Sequence, residues 1–199
     1  MKFFVNMLSI FRICVAFAII PTLMMQWYWT SLILFVLAAF SDWADGFFAR
    51  KFDCCTKLGG VLDHIGDKLL VVNTFIMLAL MMRFWFIIVP VILMISRELY
   101  ISGLREFLGT QKIAMPVPKN RFSMGKIKTT LQMVTITAFL ALFAISSIVT
   151  PDTISANMLI TMNILSQFGI IFIWASLVAS LWSATQYTWT FAEKLKKIR

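Results

Sequence analysis

Residues 31–50 read SLILFVLAAFSDWADGFFAR, and residues 59–78 read GGVLDHIGDKLLVVNTFIML. Each is a long apolar run with two aspartates near one end. Both are too long and too continuously apolar for barrel strands, which alternate over about ten residues. A spanning helix needs about 20 mainly apolar residues. The two stretches therefore predict neighbouring membrane helices that carry four acids where acids are costly.

The rest of the chain agrees with a lipid solvent. Its 199 residues are 60% hydrophobic and only 14% charged, against about half apolar and a quarter charged in soluble domains. Six segments are long and apolar enough to span, roughly 7–25, 29–51, 60–82, 85–109, 122–149 and 163–191. Only helices and closed barrels satisfy every backbone polar group inside a bilayer. The expected fold class is an all-α integral membrane protein with six transmembrane helices, forming one domain over residues 1–199. The first segment carries Arg12 and Pro21 and lacks a small-residue cleavage site, so it reads as a retained helix rather than a signal peptide.

The links divide by charge. Residues 26–28 and 83–85 are short and aromatic, and 150–158 is polar with a proline turn, with room for a short interfacial helix before the last span. Residues 51–57, 112–121 and the tail 194–199 are basic. With a cytoplasmic amino terminus, six spans put these three basic segments on one side and leave Arg83 outside. This bias predicts both termini in the cytoplasm. It also accounts for the net charge of +9 and the pI near 9.8 through anionic headgroups, so nucleic acid is not needed as a partner. Trp27, Trp29, Trp85 and Trp189 read as interfacial anchors. Cys14, Cys54 and Cys55 have no metal-ligand spacing and an odd count, so they are expected as free thiols.

Asp42 and Asp45 are three residues apart, and Asp63 and Asp67 four, so each pair shares a helix face. A short link makes the two helices antiparallel neighbours, and four carboxylates converge. They cannot all stay ionised at low dielectric without cations or protonation. Hard oxygen ligands suit magnesium, manganese or calcium, and a metal pair suits phosphoryl chemistry. Gly46 leaves room for a bulky ligand, and Arg50 offers a bidentate phosphate contact. Two other readings stay open on spacing alone. The acids could bridge to Arg50, Lys51 and Lys68, or they could line a cation or proton pathway in a transporter.

Asp42, Asp45, Gly46, Ala49, Arg50, Gly59, Asp63 and Asp67 fit D-x2-D-G-x2-A-R-x8-G-x3-D-x3-D at every fixed position. This pattern resembles the signature of the CDP-alcohol phosphotransferases. Residues 96–107 (SRELYISGLREF), 125–133 (GKIKTTLQM) and the opening 6–12 (NMLSIFR) are similar to the bacterial phosphatidylglycerophosphate synthase branch, with Ser9 where a threonine is usual. The resemblance implies transfer of a phosphatidyl group from CDP-diacylglycerol to sn-glycerol 3-phosphate, releasing CMP. It implies that Asp42 and Asp63 bridge two metal ions, Mg2+ or Mn2+, with Asp45 and Asp67 completing one site each. Asp67 is implied as the general base. Asn6, Ser9, Gly46, Arg50 and Thr56 are implied around the CDP-lipid, and a homodimer is the implied assembly.

The acceptor phosphate needs its own cations, and Arg97, Arg105, Lys126 and Lys128 are the candidates. Arg97 and Arg105 are eight apart, a little over two turns, and face similarly. Snorkelling is the plainer reading for each lysine, and an ion pair with Glu98 the plainer one for Arg97. Glu98 and Glu106 are expected to orient the arginines. The family usually has proline after its third aspartate and alanine before its fourth; here these are His64 and Gly66. His64 lies about 100° around the helix from Asp63, which makes a shared metal awkward. It reads as a packing or interfacial residue, or else as one that tunes the site from behind the ligands. Loss of the proline is expected to straighten or loosen that turn. Sibling enzymes with another acceptor, such as inositol phosphate or serine, remain the nearest rivals.

Overall fold

In the computed structural model, helical backbone is described for residues 2–51, 57–110, 124–149 and 155–196 together with the short turns among them, and side chains for 7–42, 59–110, 127–149 and 155–193. The described residues form six helices: α1 (Lys2–Met24), α2 (Tyr28–Lys51), α3 (Lys57–Met82), α4 (Trp85–Thr110), α5 (Met124–Ser146) and α6 (Ala156–Lys196). Five are long and apolar enough to cross a membrane, and the described apolar part of α2, Tyr28–Asp42, is shorter. The protein is a multi-pass, all-helical membrane protein.

The two aromatic links are tight turns. At the end of α1, Gln26 takes the left-handed conformation (φ 60°). Its N–H donates to the Leu23 carbonyl at 3.0 Å, and the Trp27 N–H donates to the Thr22 carbonyl at 2.8 Å. This pair of bonds is a Schellman closure, which satisfies carbonyls the helix end would otherwise leave bare. Arg83 (φ 55°) takes the same conformation after α3.

Helix order in space differs from helix order in sequence. α1 packs extensively on both α2 and α3, which touch each other little among the described residues. Over the described residues, α2 and α3 are joined more through α1 than by direct packing. On the other side, α5 packs on α6, α6 on α4, and α2 on α5. The core is apolar and closed: Ile19 and Leu23 of α1, Leu70 and Phe75 of α3, Met94 of α4 and Phe139 of α5 are all buried. Between helices in lipid, polar bonds and small residues supply the specificity. The Asn73 amide donates to the Ala16 carbonyl at 2.9 Å, and Ser31 donates to Thr22 at 2.9 Å. On α6, Gly169 lies against the Phe139 ring so closely that a Cβ there would come within 2.6 Å of it.

The last span differs from the sequence expectation. α6 runs unbroken for 41 residues, from Ala156, rather than starting near 163 after a separate interfacial piece. Residues 156–168 contain neither proline nor glycine, so nothing interrupts the hydrogen-bond ladder. Ser155 starts the helix by accepting the Met158 and Leu159 N–H groups.

Candidate active site

The packing of α1 against both α2 and α3 brings an α1 side chain into the acidic cluster. Arg12 is fully buried. Its Nη1 donates to Asp67 Oδ1 at 2.5 Å and Asp63 Oδ1 at 2.7 Å, and lies 3.3 Å from Asp42 Oδ1. The three carboxylates stay partly exposed, at 32%, 41% and 40% respectively. One guanidinium nitrogen thus touches acids from two other helices. One positive charge against three carboxylates leaves an excess of negative charge, which a further cation would offset.

The donor set suits a hard divalent ion. Oxygens from Asp42, Asp63 and Asp67 all lie within 4.8 Å of one another, a spacing from which carboxylates can converge on one ion. Asp45 belongs to α2, but its side chain lies outside the described residues. The same holds for Asn6, Gly46, Arg50 and Lys126, and Thr56 is outside them altogether. Ser9 is buried on α1, one turn before Arg12.

Asp67 also lines a second feature, a cavity of about 600 Å3 between α3, α4, α5 and α6. Its floor is apolar, with Val71, Phe75, Met94 and Ile101. Its polar wall is rich in cations: Lys68, Arg97, Arg105 and Lys128. Glu98 sits among them. It accepts hydrogen bonds from Arg97 Nη1 at 2.9 Å and from Lys128 Nζ, and its other oxygen is 3.9 Å from Lys68 Nζ. Arg97 Nη2 donates to Ser183 Oγ at 3.0 Å. Arg105 Nη2 donates to Tyr187 OH at 3.1 Å, with the guanidinium 5.1 Å from the ring centre. Four cations against two carboxylates, Glu98 and Asp67, leave the wall positive, so it favours a multiply charged anion.

Several expectations are refined by these contacts. Arg97, Arg105 and Lys128 share one cavity. Lys128 is buried and bound to Glu98, so it is not a snorkelling anchor. Glu98 holds Arg97 and Lys128, while Arg105 is held by Tyr187 instead. Lys68 turns away from the aspartates: its Nζ donates to Ser102 Oγ at 2.5 Å. The acids are therefore bridged by Arg12, not by Lys68. Sequence reading missed Arg12, Lys68, Ser183 and Tyr187 as site residues. Arg12 had a signal, a lone arginine inside the first apolar run; Ser183 and Tyr187, one turn apart on α6, had none beyond their shared face.

The replaced signature residues are accommodated. α3 is continuous through His64 and Gly66, so the absent proline leaves an unbroken helix. A Cβ at Gly66 would meet Ile13 Cγ1 at 3.4 Å, the Ser9 carbonyl at 3.5 Å and Arg12 Cβ at 3.6 Å, which are ordinary contacts. Gly66→Ala is therefore expected to raise stability by about 0.5–1 kcal/mol, as for a helical glycine with room for a methyl. Thermal unfolding in detergent checks this, and a lower Tm would mean that α1 and α3 have no slack.

Comparison with known proteins places these features in a family. Over 187 residues the chain is 32% identical to a protein of Sodalis glossinidius named CDP-diacylglycerol--glycerol-3-phosphate 3-phosphatidyltransferase, with 90% of each chain covered. A protein of the same name from Pectobacterium atrosepticum is 32% identical over 189 residues, covering 92% of this chain and 91% of its own. One from Rickettsia bellii, again of that name, is 40% identical over 135 residues, 64% of this chain and 69% of its own. The match to the family pattern extends over residues 3–182, and so takes in the acidic cluster, most of the cavity lining and the greater part of every helix. On that extent of similarity, the chain belongs to the CDP-alcohol phosphatidyltransferase family.

Proposed function

We propose that this protein transfers the phosphatidyl group of CDP-diacylglycerol to sn-glycerol 3-phosphate, giving phosphatidylglycerophosphate and CMP. The observation that carries this reading is the position of Asp67. It belongs both to the carboxylate cluster and to the wall of the cation-rich cavity. A nucleophile anchored in the cavity by its phosphate would present its hydroxyl beside a carboxylate. The names borne by the relatives agree with this chemistry.

In this reading Asp42, Asp45, Asp63 and Asp67 hold two divalent ions, Mg2+ or Mn2+. When bound, such ions neutralise the pyrophosphate and stabilise the charge that develops on departing CMP. The chain's own residues do the rest. Arg97, Arg105, Lys126 and Lys128 bind the acceptor phosphate. Asp67 takes the proton of the attacking glycerol hydroxyl as its oxygen bonds to the phosphorus that bears the diacylglycerol. Position within hydrogen-bond reach governs that step more than basicity does. Asn6, Ser9, Gly46, Arg50 and Thr56 surround the CDP-lipid.

The proposed topology has six spans, both termini cytoplasmic, and a single domain over residues 1–199. The basic segments around 51–57, 112–121 and 194–199 support it. The active site then faces the cytoplasm of the inner membrane, the lipid enters sideways from the bilayer, and the soluble acceptor arrives from water. A homodimer is part of the proposal.

The test is CMP release from CDP-diacylglycerol by purified protein with Mg2+ or Mn2+. Release is expected only when sn-glycerol 3-phosphate is added. Equal or faster release with inositol phosphate or serine would reassign the acceptor. Silence with every alcohol would overturn the enzyme reading.

A further inference from the structure

We propose that His64 determines acceptor specificity by hydrogen-bonding the hydroxyl of glycerol 3-phosphate that does not react. This rests on the acceptor reading of the cavity given above. His64 lines the cavity together with Asp67 and Lys68. These two lie three and four residues further along α3, so all three share one face of the helix.

The other polar side chains of this wall each have a partner within the protein, while the cations keep further N–H groups for the phosphate. Asp67 accepts from Arg12, and Lys68 donates to Ser102. Arg97 and Lys128 are bound to Glu98, and Arg105 to Tyr187. Gln132 donates to Met94 Sδ at 3.4 Å, and Thr129 and Thr130 have interactions of their own. His64 is exposed, and its ring nitrogens make no hydrogen bond to another described residue. It is a polar side chain of the wall left over for a ligand.

The acceptor's geometry says which part His64 meets. With the phosphate among the cations and the reacting hydroxyl at Asp67, the middle carbon and its hydroxyl lie between them. The nearby floor is apolar, with Val71, Phe75 and Ile101, and gives a hydroxyl nothing to bond. An imidazole offers a donor, an acceptor or two donors according to its protonation. A hydroxyl matches any of these, so the contact does not depend on the tautomer.

The experiment compares sn-glycerol 3-phosphate with 3-hydroxypropyl phosphate, which keeps the phosphate and the reacting hydroxyl but lacks the middle one. CMP release is measured for the wild type, His64→Ala and His64→Gln. The wild type is expected to prefer glycerol 3-phosphate by about tenfold in kcat/KM, the worth of one good neutral hydrogen bond. His64→Ala should lose that preference through a higher KM for glycerol 3-phosphate, with kcat and the KM for CDP-diacylglycerol little changed. His64→Gln, which retains a donor and an acceptor, should keep part of it. An alanine variant with the wild-type preference overturns the proposal. If that variant does not fold, His64→Leu carries the same comparison with the same two outcomes. A wild type that releases no CMP with either acceptor overturns the acceptor reading itself. A wild type active on both without preference overturns only the role of His64.

Discussion

An Asp67→Asn variant is expected to release CMP at least about 10^3-fold more slowly than the wild type, while still binding much of the nucleotide. A positioned general base is worth about 10^2–10^4 in rate, and the same change removes a charged oxygen from the cation cluster. Asparagine keeps the volume and an oxygen that can still accept from Arg12, so the helix contacts should survive. Asp42 and Asp63 remain to bind cation and pyrophosphate. Single-turnover CMP release and CDP binding by calorimetry separate the two effects. Near-normal turnover would remove Asp67 as the base. Lost binding with lost turnover would instead make it chiefly a structural ligand.

Arg12→Met should have the second largest effect, and on stability before activity. The guanidinium is fully buried and contacts three carboxylates from α2 and α3. Removing one partner of a buried ionic cluster costs about 3–5 kcal/mol. Partial exposure of the acids favours the lower end, about 3 kcal/mol. Methionine fills the space but leaves three like charges within 4.8 Å of one another. The fall in Tm should be largest with a chelator present, and added Mn2+ should recover part of it by supplying charge to the same oxygens. Arg12→Lys should fall between, since an ammonium keeps the charge but not the fork. A methionine variant as stable as the wild type in chelator would show that Arg12 does not hold the cluster together.

The sequence made some parts of this site legible and hid others for physical reasons. Helical spacing alone puts Asp63 with Asp67 and Arg97 with Arg105, because 3.6 residues per turn fixes which positions share a face. The apolar runs located the helices because lipid demands continuous length. What spacing cannot give is which helix packs where. Arg12 enters the acidic cluster only because α1 packs on both α2 and α3. Lys68 is next to Asp67 in the chain, yet one residue is about 100° of helix, and that rotation points it at Ser102 and Glu98. Ser183 and Tyr187 reach the cavity because α6 packs on α4, a contact across some 80 residues of sequence. The length of α6 was misjudged for a different reason: residues 150–158 read as a polar link, but its last part, Ala156–Met158, contains no helix breaker and opens the helix.

The contact between Arg12 and the acids has a consequence for biosynthesis. α1 is made before α2 and α3, and its arginine then has neither the α2 nor the α3 carboxylates to neutralise it. A lone arginine in that position can reach for the headgroups with its long side chain. Asp63 and Asp67 arrive only when α3 leaves the ribosome and joins the bilayer. α1 therefore reaches its final depth and rotation only once α3 is in place, drawn there by charges encoded some fifty residues downstream.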